Sequence, residues 1–132
     1  MRNYRNWVWA AVGATVFAVA LVQHAAAGTI AERTTYLTFS QPVQLPGVAL
    51  KAGAYIFELA DPMGAPGVVR VLSRDRRTAY FMGFTYVAER PRGMRDDALV
   101  SFGESAAGVA PRITAWWPIG ERTGHQFIYQ AR

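Results

Sequence analysis

The sequence contains no cysteine. That excludes disulfides, thiolate metal sites, a cysteine nucleophile and the thioether lipid of a bacterial lipoprotein, so stability has to come from packing. Lysine is nearly absent: of fourteen basic residues only Lys51 is not arginine, a bias that accompanies abundant Ala, Gly and Pro and is no signature of a ligand. Histidine occurs twice, at His24 and His125, too few to complete a zinc shell without cysteine. No glycine-rich phosphate loop, nucleotide motif, nucleophile elbow or Asn-glycosylation sequon is present. No metal or cofactor is therefore expected. The longest apolar run, Trp7–Val22, has sixteen residues, short of the roughly 20 that a helix needs to cross a bilayer.

What is present begins with that run. Arg2 and Arg5 precede it and Ala25-Ala26-Ala27 closes the segment after it, the three-part layout of a secretory signal helix with small residues before the cut. Residues 1–27 are therefore expected to leave by cleavage between Ala27 and Gly28, with residues 28–132 forming one exported domain, periplasmic or extracellular. A membrane would be met only through residues 1–27, if they were retained. The whole chain carries a formal charge of +5, and two of its positive charges, Arg2 and Arg5, belong to the leader. So small an excess on an exported domain predicts no nucleic-acid partner.

The remainder reads as short strands and tight turns. The organising stretch is Leu45–Leu59, LPGVALKAGAYIFEL: Pro46-Gly47 breaks the backbone, Val48–Leu50 restarts it, and Lys51-Ala52-Gly53 turns it again with Gly53 as pivot. Tyr55, Phe57 and Leu59 then share one face of a strand, opposed by Ile56 and Glu58. Thr34–Ser40 alternates as a first strand. Ala60–Gly67, with two prolines and two glycines, reads as a surface loop. Val68–Ser73 and Thr78–Ala88 make a hairpin, Glu89–Ala98 a polar crossing loop, and Leu99–Glu104, Ile113–Trp117 and Gln126–Gln130 the closing strands. Seven or eight short strands and no amphipathic helix after residue 28 predict an all-β fold, a single antiparallel β-sandwich, with a small closed barrel as the alternative.

The same stretch, with its Leu-x-Ala-Gly-x-Tyr pattern, resembles the strand, turn and strand signature of prealbumin-like and other exported β-sandwich modules. Together with FSQPVQLPG, VVRVLSRDRRTAY and AWWPIGERTGHQFIY, it makes the chain similar to a group of small signal-bearing bacterial β-sandwich proteins. That resemblance implies fold and export, and carries over no catalytic or binding residues.

Candidates for chemistry are few. His125 falls in phase with Phe127 and Tyr129 on the last strand; as a catalytic base it lacks a nucleophile and an orienting acid nearby in sequence, so a hydrolase built on it ranks last. Asp96, Asp97, Glu89 and Glu104 are interleaved with arginines that compete for any cation. Arg74, Arg76 and Arg77 form one basic group and Arg90, Arg92 and Arg95 another; brought together, they would suit an anionic polysaccharide. Trp116 and Trp117 point to opposite faces, which offers one of them, Trp116 in the ligand-binding reading, as a stacking platform. On Thr78–Ala88, Tyr80, Met82, Phe84 and Tyr86 oppose Phe81, Thr85 and Val87, so one aromatic face needs a cover; Phe81 and Val87 are the expected contacts to a second copy or an envelope protein. The expected function is non-enzymatic: binding or assembly at the cell envelope, with anionic-glycan binding as the alternative.

Overall fold

The alternation of large apolar with small or polar residues produces a strand at or overlapping each stretch where the sequence shows it, with shifted bounds at the last one. The computed structural model describes residues 20–23 and 34–130. It contains β1 (Ala20–Gln23), β2 (Thr34–Phe39), β3 (Val43–Leu45), β4 (Val48–Leu50), β5 (Gly53–Asp61), β6 (Ala65–Ser73), β7 (Ala79–Glu89), β8 (Val100–Phe102), β9 (Ile113–Trp116) and β10 (Thr123–Phe127). Of the expected leader, only Ala20–Gln23 lies within the described residues, and there the backbone is a strand antiparallel to β2 instead of a helix. The cleavage position lies outside them. Gly53 opens β5 at φ 154°, a backbone that side chains rarely adopt, in agreement with its expected role as pivot.

The all-β, antiparallel class is as expected. The strands are hydrogen-bonded into one eight-stranded sheet, ordered β1-β2-β5-β6-β7-β10-β9-β8, with β3-β4 as a separate ribbon, in place of two distinct sheets. The sheet curls strongly. Phe57 on β5 and Trp116 on β9 are four strands apart in that order, about 19 Å on a flat sheet, yet their rings lie 6.0 Å apart. Phe39 on β2 reaches Phe102 on β8, six strands away, at 6.3 Å. The result is a half-barrel whose inner face holds Leu37, Phe39, Tyr55, Phe57, Val69, Val71, Ile113, Trp116 and Phe127, joined by Val43, Leu45 and Leu50 from the ribbon. Burying each such large side chain contributes about 1.5–3 kcal/mol.

β7 is the strand at which the two halves meet. Its first part, Ala79–Phe84, pairs with β6, and its second, Thr85–Glu89, pairs with β10.

Two expectations change. The Ala60–Gly67 loop is mostly strand: β5 runs to Asp61, β6 starts at Ala65, and the Asp61 carboxylate accepts the Gly64 N–H at 2.9 Å to close a tight turn. Pro66 is tolerated because it sits where the ladder slips, between the Leu59↔Val69 and Asp61↔Ala65 pairs, a place where a missing N–H costs little. The last strand begins earlier and ends at Phe127, and beyond it the Tyr129 hydroxyl donates to the Ile113 carbonyl at 2.6 Å and lies 3.0 Å from that of Gln44, drawing the chain off the sheet.

Candidate functional site

The face of β7 that turns away from the core carries Met82, Phe84 and Tyr86, and Phe84 is 74% exposed. Tyr80, expected in the same row, sits where the ladder slips between the Val71↔Phe81 and Leu72↔Ala79 pairs, and its ring meets that of the core residue Tyr55 edge-on at 5.4 Å. Phe81, offered from the sequence as an interface residue, faces the other way: it packs against the core and meets the Phe127 ring edge-on at 5.5 Å. The reason is parity combined with curl, since the concave side of the half-barrel takes the odd positions. Val87 shares that parity yet is exposed, because it lies on the half of β7 beyond the β6 ladder. Of the two residues singled out in the sequence as contacts, Phe81 is therefore packed inward and Val87 is exposed.

At its carboxyl end the same outer face is covered. Gly124 lies opposite Ala88, and the Trp117 indole extends across this glycine to donate from Nε1 to the Ala88 carbonyl at 3.3 Å. Above the indole sits the Arg90 guanidinium, 5.5 Å from the ring centroid. Arg90 is itself buried, donating to the carbonyls of Arg95 (2.9 Å), Ala98 (2.7 Å) and Glu121 (3.4 Å). Arg90 is thus a structural clamp on the 90–98 loop and not part of an open basic patch. Trp116, the expected stacking platform, is completely buried in the core against Phe57 and the His125 ring. Both tryptophans are covered, one by each side of the sheet.

The two arginine groups stay apart. Arg74, Arg76 and Arg77 belong to the β6-β7 turn and Arg90, Arg92 and Arg95 to the loop after β7, so they lie at opposite ends of a strand about 30 Å long. Within the second group, Arg95 pairs with Asp97 at 3.0 Å on the surface and Arg92 is exposed. Within the first, Arg76 has φ 64° at the turn and reaches back to the Glu58 carboxylate at 3.0 Å, Arg74 lies 5.6 Å above the Tyr36 ring, and Arg77 is exposed. Arg70, from β6, also pairs with Glu58. Burial pushes the Glu58 carboxyl up, but hydrogen bonds and charge from Arg76 and Arg70 more than offset this and hold it below the usual carboxylate range. Glu58 and Arg70 were not singled out in the sequence, although their i and i+12 placement across a hairpin is the signal that could have found them.

His125 is half-buried on the inner side, stacked on Trp116 at 5.3 Å. Its Nδ1 lies 3.1 Å from the Thr85 hydroxyl, and that hydroxyl donates to the Gly67 carbonyl at 2.8 Å. Thr85 has only one proton to give, so the imidazole must be the donor, with its proton on Nδ1. The pair is oriented away from a nucleophile and base arrangement. Burial pushes the imidazole pKa down, so the folded state binds fewer protons here than the unfolded one. The stability from this site is complete above the ordinary histidine value of about 6.5 and is lost as pH falls below it. His125→Gln should flatten the decline in melting temperature between about pH 6.5 and 5; an unchanged decline would place the sensitivity elsewhere.

A groove of about 650 Å³ separates the β3-β4 ribbon from Ile128–Gln130 and is bordered by Arg112, whose guanidinium lies 5.1 Å over the Tyr129 ring. Arg112 was not singled out in the sequence, since nothing local distinguishes it from twelve other arginines. Comparison with protein families, with curated proteins and with solved structures finds no match for this chain.

Proposed function

We propose that this chain is exported, loses residues 1–27, and serves at the cell envelope as a non-enzymatic assembly domain whose contact surface is the outer face of β7. The observation that carries the reading is the exposed row of Met82, Phe84 and Tyr86. Soluble monomers seldom leave so many neighbouring large apolar side chains in water. A second copy offers the same row, and a two-fold axis across β7 would bury both at once. In the finer reading of the fold, the β2-β5-β6 and β8-β9-β10 halves act as the two layers of a sandwich joined through β7.

The expected result is a mass in light scattering that rises with concentration for the parent protein. Phe84→Glu should remain monomeric with its β-signal in circular dichroism intact, because Phe84 is not part of the core. A parent protein that stays monomeric into the high micromolar range would defeat the assembly reading. Anionic-glycan binding is the second reading, supported by the crowding of Arg70 and Arg76 around one carboxylate beside Tyr36. Salt-sensitive retention of a monomer on acidic polysaccharide would favour it.

A further inference from the structure

The eight-stranded sheet ends in β1 on one side and β8 on the other. β8 has three residues, and its ladder with β9 slips between Ser101 and Phe102. Shortness and a bulge both blunt an edge against pairing with another chain. At the other side, β1 supplies Ala20–Gln23, which pair with Phe39, Thr38, Leu37 and Tyr36 in turn. All four residues fall within the 1–27 segment that processing would remove. The strand then left at the edge is β2, TTYLTF. It is six residues long, has no proline and no charge, and pairs with β5 in unbroken register. Its composition of threonine, aromatic and aliphatic residues favours extended backbone. None of the protections found at β8 is present.

Resting on the processing part of the preceding reading, we propose that the β2 edge is an acceptor for one extended strand of a partner protein, added antiparallel where β1 lies. The partner strand is apolar opposite Thr35, Leu37 and Phe39 and acidic opposite Thr34, Tyr36 and Thr38. Its backbone groups satisfy those that β1 leaves behind, and its apolar positions meet the inner face, fixing the register. The acidic positions follow from the outer face. Glu58 stands opposite Thr34 on the adjacent strand, and both Arg70 and Arg76 converge on it, so among the described residues two guanidiniums meet one carboxylate here. The Arg74 guanidinium lies 5.6 Å over the ring of Tyr36, a residue of the edge strand itself. A positive rim attracts an acidic strand and disfavours a second copy, which carries the same sign.

The test uses protein produced with its leader and shown by intact mass to begin at Gly28, so that a failure of processing is seen separately from a failure of the edge. Two short synthetic peptides serve as probes, one alternating valine with glutamate and the other alternating valine with lysine. The glutamate peptide should bind about tenfold more tightly at low salt. It should also slow amide exchange across Thr34–Phe39 while leaving β8 unchanged, and protein retaining residues 1–27 should bind it more weakly. Equal binding of the two peptides would overturn the charge argument. Binding of neither would overturn the acceptor edge, and a dimer of the processed protein with β2 amides already protected would assign the edge to a second copy.

Discussion

Gly124→Ala should lower the melting temperature by about 15 °C, corresponding to roughly 3 kcal/mol in a domain of this size. A Cβ at this position would stand 2.5 Å from the Trp116 carbonyl oxygen and 2.4 Å from Cδ1 of Trp117. The first obstacle is backbone in the neighbouring strand and cannot swing aside. The second is the indole that bridges β10 to reach Ala88. Either β9 separates from β10 or the indole leaves its seat, and both outcomes disturb the ladder next to the core residue Trp116. Since a domain of about 100 residues has a total stability of only some 5–15 kcal/mol, the variant should be recovered poorly at physiological temperature. A melting curve superimposable on that of the parent would mean that the indole does not lie across this glycine.

Arg90→Ala should cost about 2–3 kcal/mol, an unusually large effect for a loop arginine. The side chain ends in three carbonyl contacts from two separate segments and covers a tryptophan that is only 2% exposed. Its removal leaves those carbonyls to water and opens the Trp117 ring. The emission of the protein should shift to longer wavelength, and the 91–98 segment should become susceptible to protease. Arg90→Lys should recover little, because an ammonium lacks the planar fork that reaches carbonyls on both sides while lying flat on a ring. Full stability in Arg90→Lys would show that charge alone is sufficient.

The strands were legible in the sequence because alternation is a local property: Thr34–Phe39 and Tyr55–Leu59 show their two faces directly. Their pairing was less so. Adjacent strands in sequence are the usual neighbours, yet β7 continues into β10 and not β8. Parity divided β7 correctly from Phe81 onward and failed at Tyr80, where the ladder slips. Phe81 and Phe84 are chemically alike, and only the direction of curl decides which one is buried. The tryptophans show the same limit. Opposite faces were read correctly, while the cover on Trp117 comes from Arg90, whose position above the ring depends on where the chain returns after β7. A buried arginine of this kind carries no compositional mark that separates it from Arg92, two residues on.

The order of strands in the sheet also has a meaning in time. A chain delivered amino end first can build β2, β5, β6 and β7 as they emerge, since each pairs with a strand already present. Within the sheet β8 and β9 pair with each other, and their link to the earlier strands runs through the ribbon, where the Gln44 N–H donates to the Pro111 carbonyl at 2.8 Å. The sheet itself stays in two pieces until Thr123–Phe127 arrives and inserts between β7 and β9. The strand that unites the sheet is therefore the last one of this domain to be delivered, and such non-local pairing is the slow kind. Until then β7 and β9 both present open edges, so the vulnerable period of this domain extends to the end of its own delivery.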